Sequence, residues 1–176
     1  MRLVVAAAAL AAAVMATPAL AADGPQINWY GDLGYSQVDG GGANLGAITG
    51  RLGGRNQEFG LEAEVASGIS SQNDGGVNVK LNDEYALDAV IYAPASPNAD
   101  LFVRAGYGHM DVKVSCCGVS ATVGANAWNV GVGGQYFFTH NDGVRLDYTY
   151  YKMSNIGGTG INGSENAYTI SYVRRF

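Results

Sequence analysis

The chain ends Ala167-Tyr168-Thr169-Ile170-Ser171-Tyr172-Val173-Arg174-Arg175-Phe176, a stretch that alternates by parity. Tyr168, Ile170, Tyr172 and Phe176 share one face, and Thr169, Ser171 and Arg175 share the other. A period of two predicts a strand with one apolar and one polar side. Such a strand suits a wall between lipid and a polar interior. An apolar edge at a chain end invites aggregation in a soluble fold, whereas a closed barrel leaves no edge to expose. The competing reading is the terminal strand of a soluble sandwich, and the rest of the chain must decide between them.

Met1-Arg2 precede an apolar run from Leu3 to Ala16, and Thr17-Pro18-Ala19-Leu20-Ala21 follow with an A-x-A cleavage site. This is the pattern of an export signal. The run is short of the about 20 residues that a transmembrane helix needs. The expected division is a signal peptide over residues 1–21 and one domain over residues 22–176. With 26 Gly, 11 Tyr and 14% charged residues, the composition favours β-structure and turns. The formal net charge of −5 becomes −6 when Arg2 leaves with the signal, and Arg174-Arg175 is the only basic cluster. A nucleic-acid partner is therefore not expected.

Alternation predicts about eight strands: Ile27 to Val38, Leu45 to Arg55, Glu58 to Ile69, Lys80 to Ala93, Leu101 to Val114, Ala127 to Phe138, Val144 to Met153 and Glu165 to Phe176. Their connections alternate in length. Asn56-Gln57 and His140 to Gly143 are tight, and Pro94 to Asp100 is moderate. Ser70 to Asn78, Ser115 to Asn126 and Ser154 to Ser164 are long, and Asp39 to Asn44 is intermediate. Short turns at one end and long loops at the other, on an even strand count, are a habit of transmembrane barrels that a sandwich has no reason to share.

Parity inside the strands points the same way. One face collects Leu33/Tyr35, Phe59/Leu61/Ala63/Val65, Tyr85/Leu87/Ala89/Ile91, Leu101/Val103/Ala105/Tyr107, Trp128/Val130/Val132/Tyr136/Phe138 and Val144/Leu146/Tyr148/Tyr150. The other collects Arg51, Arg55, Glu62, Glu64, Glu84, Asp88, Arg104, Arg145 and Asp147. Charges inward and apolar residues outward invert the soluble pattern. Tyr35, Tyr85, Tyr107, Trp128, Tyr150 and Tyr168 mark the loop ends of the outward face, and Trp29, Phe59, Phe138 and Phe176 the turn ends. From Trp128 to Phe138, at about 3.3 Å per residue and a tilt near 40°, is roughly 25 Å along the membrane normal, the height of an apolar band.

Tyr30-Gly31-Asp32-Leu33-Gly34-Tyr35-Ser36, Thr49-Gly50-Arg51-Leu52-Gly53, Phe59 to Glu64, Gly131 to Phe138 and Gly143 to Tyr148 occur in an order and spacing that resemble the opacity-type and OmpA-like small barrels of the bacterial outer membrane. The ending also resembles that family's C-terminal assembly signal, carried here by Tyr168, Ile170, Tyr172 and Phe176 and interrupted by Arg174. The resemblance implies an all-β, eight-stranded antiparallel up-and-down barrel in a Gram-negative outer membrane, with extracellular loops and periplasmic termini. Its implied partners are outer-membrane lipid and lipopolysaccharide, the barrel assembly machinery through the last strand, and an extracellular ligand or host surface. Fold alone does not fix activity. Members serve as adhesins, envelope stabilisers or narrow pores.

The sequence offers little chemistry. His109 and His140 fall at opposite ends of the barrel, so neither a shared metal site nor a Ser-His-acid triad has a centre, and no catalytic residue, metal ligand or cofactor is expected. Gly157-Gly158-Thr159-Gly160 lacks the Lys-Ser/Thr of a phosphate loop. Cys116 and Cys117 are adjacent in a loop; they would form a vicinal disulfide only through a distorted peptide, and a pair of reduced thiols is the plainer alternative. The inward charges suit a structural ion-pair network, because eight strands enclose a space just wide enough for side chains. The expected role is structural or surface-interacting rather than enzymatic. The alternatives are a narrow porin-like channel, which the inward Gly106, Gly108, Gly131 and Gly133 would favour, a lipid-modifying enzyme, for which no nucleophile and base align, and a soluble ligand-binding barrel, which needs the opposite parity.

Overall fold

The computed structural model describes residues 27–40, 43–74, 77–117, 119–156 and 161–176. The expected signal peptide and the Gly157–Gly160 segment lie outside the described residues. Nine strands follow in order: β1 (Asn28–Gly40), β2 (Ala43–Asn56), β3 (Phe59–Gly68), β4 (Ser71–Asp74), β5 (Val77–Ser96), β6 (Ala99–Cys116), β7 (Val119–Phe137), β8 (Asp142–Ile156) and β9 (Ile161–Arg175).

Each strand runs antiparallel to its neighbours. β1 pairs with both β2 and β9, and β3 pairs with β5, so eight strands close into a barrel. β4 lies on β5 alone, continuing the line of β3 past Ile69 and Ser70. The outward face follows the expected parity: Leu61, Leu87, Trp128 and Phe59 are each more than 60% exposed, and only Val65 and Tyr148 of the expected outward set are half-buried. Both aromatic rims stand on this face.

The strands extend further than alternation predicts. Most of the expected loop from Ser115 to Asn126 is strand: β6 and β7 pair up to Cys116↔Val119, and β5 joins them from Val77. β8 meets β7 only from Asn126↔Ser154, so Val119–Ala125 and the matching parts of β5 and β6 stand beyond the rim as a projecting sheet. The moderate connection after Pro94 likewise tightens to a turn at Pro97-Asn98, with a register shift between Pro94 and Ser96. In the projection the apolar parity reverses. Val112 and Val123 turn inward while Lys80 and Lys113 turn outward, because water and not lipid bathes the outside there.

Inside, an apolar layer built from Val38, Leu45, Leu81, Met110 and Met153 with small alanines fills the loop end. Tyr30, Val90, Tyr92, Phe102, Phe137 and Val173 form an aromatic layer toward the turn end. The buried charges lie between the two.

Candidate functional site

The centre of the barrel is a solid of paired charges. Inward positions on β1 (Asp32), β2 (Arg51), β3 (Glu62, Glu64), β5 (Asp88), β6 (Arg104) and β8 (Arg145, Asp147) converge, and each of these side chains is at least 93% buried. Arg51 donates through Nε to Glu64, through Nη1 to Asp32 Oδ1 at 3.3 Å, and through Nη2 to Asp147 Oδ1 at 3.1 Å. Arg104 donates to Glu64 Oε2 at 2.5 Å and to Thr149 Oγ1 at 2.7 Å, with Asp88 Oδ2 at 3.5 Å. Arg145 grips Glu62 with both terminal nitrogens, at 2.5 and 3.1 Å, and its guanidinium carbon lies 4.1 Å from the centre of the Phe102 ring. The planar fork of arginine suits such two-point pairing, and its charge persists when buried.

Phenols complete the layer. Tyr92 donates to the Tyr30 hydroxyl at 2.7 Å, Tyr30 donates to Glu62 Oε1 at 2.8 Å, and Tyr151 donates to Glu64 Oε1 at 3.0 Å. Below this layer the turn end is closed by a second cluster. Arg55 and Arg175 both donate to Asp100 Oδ2, at 2.8 and 3.0 Å, Gln135 adds a third bond at 2.9 Å, and the two guanidiniums cover Tyr92 and Phe137.

The inward glycines do not open a channel. A Cβ on Gly106 would collide with the Asp88 carboxylate and the Leu87 carbonyl, one on Gly133 with the Phe102 ring, and one on Gly131 with Thr149 and the Arg104 stem. Gly108 likewise abuts Ala86 and the Tyr85 carbonyl. Gly106, Gly131 and Gly133 leave space that a neighbouring side chain fills, and Gly108 lets the adjacent strand's backbone approach, so glycine here reports close packing.

Of the residues expected to face the lumen, the structure brings Arg51, Glu62, Glu64, Asp88, Arg104, Arg145 and Asp147 into one network. It places Arg55 apart, in the turn-end cluster. Glu84 is buried above the network beside Tyr151 and Asn129, beyond ion-pair distance of any described arginine. Asp32, Asp100 and the phenols of Tyr30, Tyr92 and Tyr151 were not among the expected residues. Their parity opposite Leu33, Leu101, Ile91 and Tyr150 was the available signal.

Tyr168, Ile170, Tyr172 and Phe176 lie on the outward face of β9, and Phe176 N–H donates to the Trp29 carbonyl at 2.9 Å. Arg174, on the same face, pairs with Asp142 at 3.1 Å at the turn end. Cys117 is exposed in the β6–β7 turn with φ 56°, and the side chain of Cys116 lies outside the described residues. His109 stacks on Tyr85 at the loop end, and among the described residues no three His, Cys, Asp or Glu side chains gather as a metal site.

Known proteins share this architecture. Neisserial surface protein A superposes with a TM-score of 0.61 at 13% identity, covering 85% of this chain and 97% of its own. Ail, the attachment invasion locus protein of Yersinia pestis, gives 0.60 at 17% identity with the same coverage. The N-terminal β-barrel domain of Pseudomonas aeruginosa OprF gives 0.57 at 14%, covering 84% and 99%. At these identities the likeness is one of fold. No curated protein matches in sequence. The sequence profile of the outer membrane protein beta-barrel domain matches residues 4–176, nearly the whole chain, and with the closed eight-stranded ring it establishes that this protein belongs to that outer-membrane barrel family.

Proposed function

We propose that this protein is a sealed barrel of the Gram-negative outer membrane with a structural or surface-interaction role, exerted through its loop-end hairpins and not through transport or catalysis. The loop end faces outward from the cell and both termini face the periplasm. The observation that carries this reading is the filled lumen: three buried arginines, their carboxylates and two flanking apolar layers occupy the path that a solute would take. Catalysis would need a nucleophile near a base and a place for substrate. The central arginines and carboxylates instead pair with one another. The projecting sheet of β5, β6 and β7 is the part of the chain best placed to meet another surface.

Planar-bilayer recordings test the sealed lumen. Purified protein is expected to show no steady conductance, and large stable single-channel currents would promote the narrow-porin reading. Protease added to intact cells is expected to cut near the Cys117 turn; protection there, with cleavage only after the envelope is opened, would reverse the orientation.

A further inference from the structure

Glu84 is a buried acid with no arginine of its own. It stands inward on β5, in register with Met110 and Ala125, one row beyond the last β7–β8 pair but one side chain's length from the charged centre. It is 6% exposed within the apolar layer of the loop end, where Gly108, Met110 and Ala127 line one cavity with Glu84, Asn129 and Tyr151. Two acceptors line that cavity. Asn129 is 5% exposed, and its Oδ1 accepts no hydrogen bond among the described residues. The Tyr151 phenol has a single hydrogen and gives it to Glu64. An ionised Glu84 would offer no hydrogen either, so oxygens that can only accept would share a buried space, at a cost that one proton removes.

The groups around Glu84 give an anion there little support. Glu64 comes from β3 and Glu165 from β9, and both repel a further negative charge. The one cation among these neighbours, Arg104 of β6, is already engaged by Glu64 and Asp88. β1 and β2 bring Val38, Leu45 and Ala47 to this layer, and His109 touches the cavity wall while its ring stacks outside on Tyr85. A hard metal ion such as calcium takes about six to eight oxygen ligands, and the side chains of this cavity supply only those of Glu84, Asn129 and Tyr151. We infer that Glu84 is a proton-binding site: its carboxyl, neutral at pH 7, donates to Asn129 Oδ1 and completes the loop-end layer, and an alkaline medium loosens that layer by moving the proton to hydroxide. The proton is exchanged with the medium at the loop end, whichever side of the membrane that is. The inference therefore stands apart from the orientation of the barrel and from its role at the surface.

The test uses the purified protein folded in lipid vesicles in deuterated buffer. Infrared difference spectra between wild type and Glu84→Gln should show a protonated-carboxyl C=O band at pH 7 that disappears on alkaline titration. The amide of the variant keeps a donor for Asn129 Oδ1. Asn129→Ala should shift the band, because its hydrogen-bond acceptor is gone, and Asp88→Asn should leave it in place. Linkage gives a second readout. The unfolded chain releases this proton near the ordinary glutamate value of about 4.3 and the folded protein keeps it, so stability falls as pH rises through that window. The urea-unfolding constant of wild type relative to Glu84→Gln should therefore rise about tenfold per pH unit above that value until the band disappears, and stay level beyond. Absence of the band at pH 7, or parallel pH profiles for the two proteins, overturns the inference. A wild-type stability that follows Na+, K+ or Ca2+ at fixed ionic strength, with Glu84 ionised, assigns the cavity to a metal ion and overturns it too. Heat-modifiable gel mobility checks that each variant is folded. Should Glu84→Gln fail to fold, the wild-type band and its shift in Asn129→Ala decide.

Discussion

Arg145 meets Glu62 across the barrel although 83 residues separate them, with Nη2 3.1 Å from Oε2 and both side chains fully buried. Asp32 and Asp147 also lie within 3.6 Å of the same guanidinium. Arg145→Ala would strip Glu62 of its two-point partner and take one shared cation from Asp32 and Asp147, at a cost of about 3–5 kcal/mol. Urea unfolding in lipid vesicles, followed through Trp29 and Trp128, should show this loss, while Arg174→Ala, which breaks only an exposed pair, stays near wild type. Equal stability of Arg145→Ala and the parent would mean that the network does not hold the barrel together.

Asp88 is the opposite case. It is 1% exposed, yet neither carboxylate oxygen completes a hydrogen bond, and Arg104, at 3.5 Å, is its only ion-pair partner. The interior holds three arginines against six carboxylates, counting Glu84. Asp88→Asn removes one surplus charge and keeps the shape, so stability should be unchanged or raised. Glu62→Gln, which disrupts the two-pronged grip of Arg145, should lose about 2–3 kcal/mol in the same assay. A large loss from Asp88→Asn would show that this carboxylate carries an interaction beyond its contact with Arg104.

Glycines on the two faces should respond differently. Gly106→Ala must push aside the Asp88 carboxylate and a backbone carbonyl, and overpacking of this kind costs about 1–3 kcal/mol. Gly134→Ala, on the lipid face, meets the tip of Leu101 at 3.4 Å and the Asp100 carbonyl at an ordinary 3.6 Å and should be tolerated. Assembly yield and the urea midpoint of both variants decide the matter. Equal tolerance would mean that space remains beside Asp88.

For the last strand we propose that the terminal aromatic, more than the basic pair before it, is what the assembly machinery reads. Deleting Phe176 should lower the folded fraction in outer membranes more than Arg174→Ala does, as scored by the heat-modifiable band. Equal loss from the two changes would remove Phe176 from that role.

Closure, strand direction and the lipid-facing parity were legible because period-two alternation is strong wherever one side meets lipid. Five features were not. The projecting sheet was hidden because apolar residues change sides near Trp128: Ala121, Val123 and Ala125 alternate as cleanly as Val130 and Val132, but on the opposite parity. Asp32 sits between Gly31 and Leu33, where no neighbouring charge drew attention to it. Tyr30, Tyr92 and Tyr151 each adjoin an outward residue, and an aromatic beside another apolar residue blurs the alternation that would place it. The glycine row suggested emptiness because a sequence shows the side chain that is missing and not the neighbour that occupies its place. Pairing partners such as Arg51 and Asp147, 96 residues apart, depend on which strand positions the closed ring sets across from one another, and no local pattern contains that register.

The network also constrains how the barrel is made. Its members come from six strands, and several contacts join the first third of the chain to the last. A half-built sheet in a membrane would turn Arg51, Glu62 and Glu64 toward hydrocarbon with no Arg145 or Asp147 yet in reach. These side chains must therefore stay wet until β9 meets β1, and the last water leaves in the step that seats every charge. Insertion then behaves as a latch: open sheets remain sparse, because the pairs that join β8 to β1, β2 and β3 across the interior form only when the ring closes.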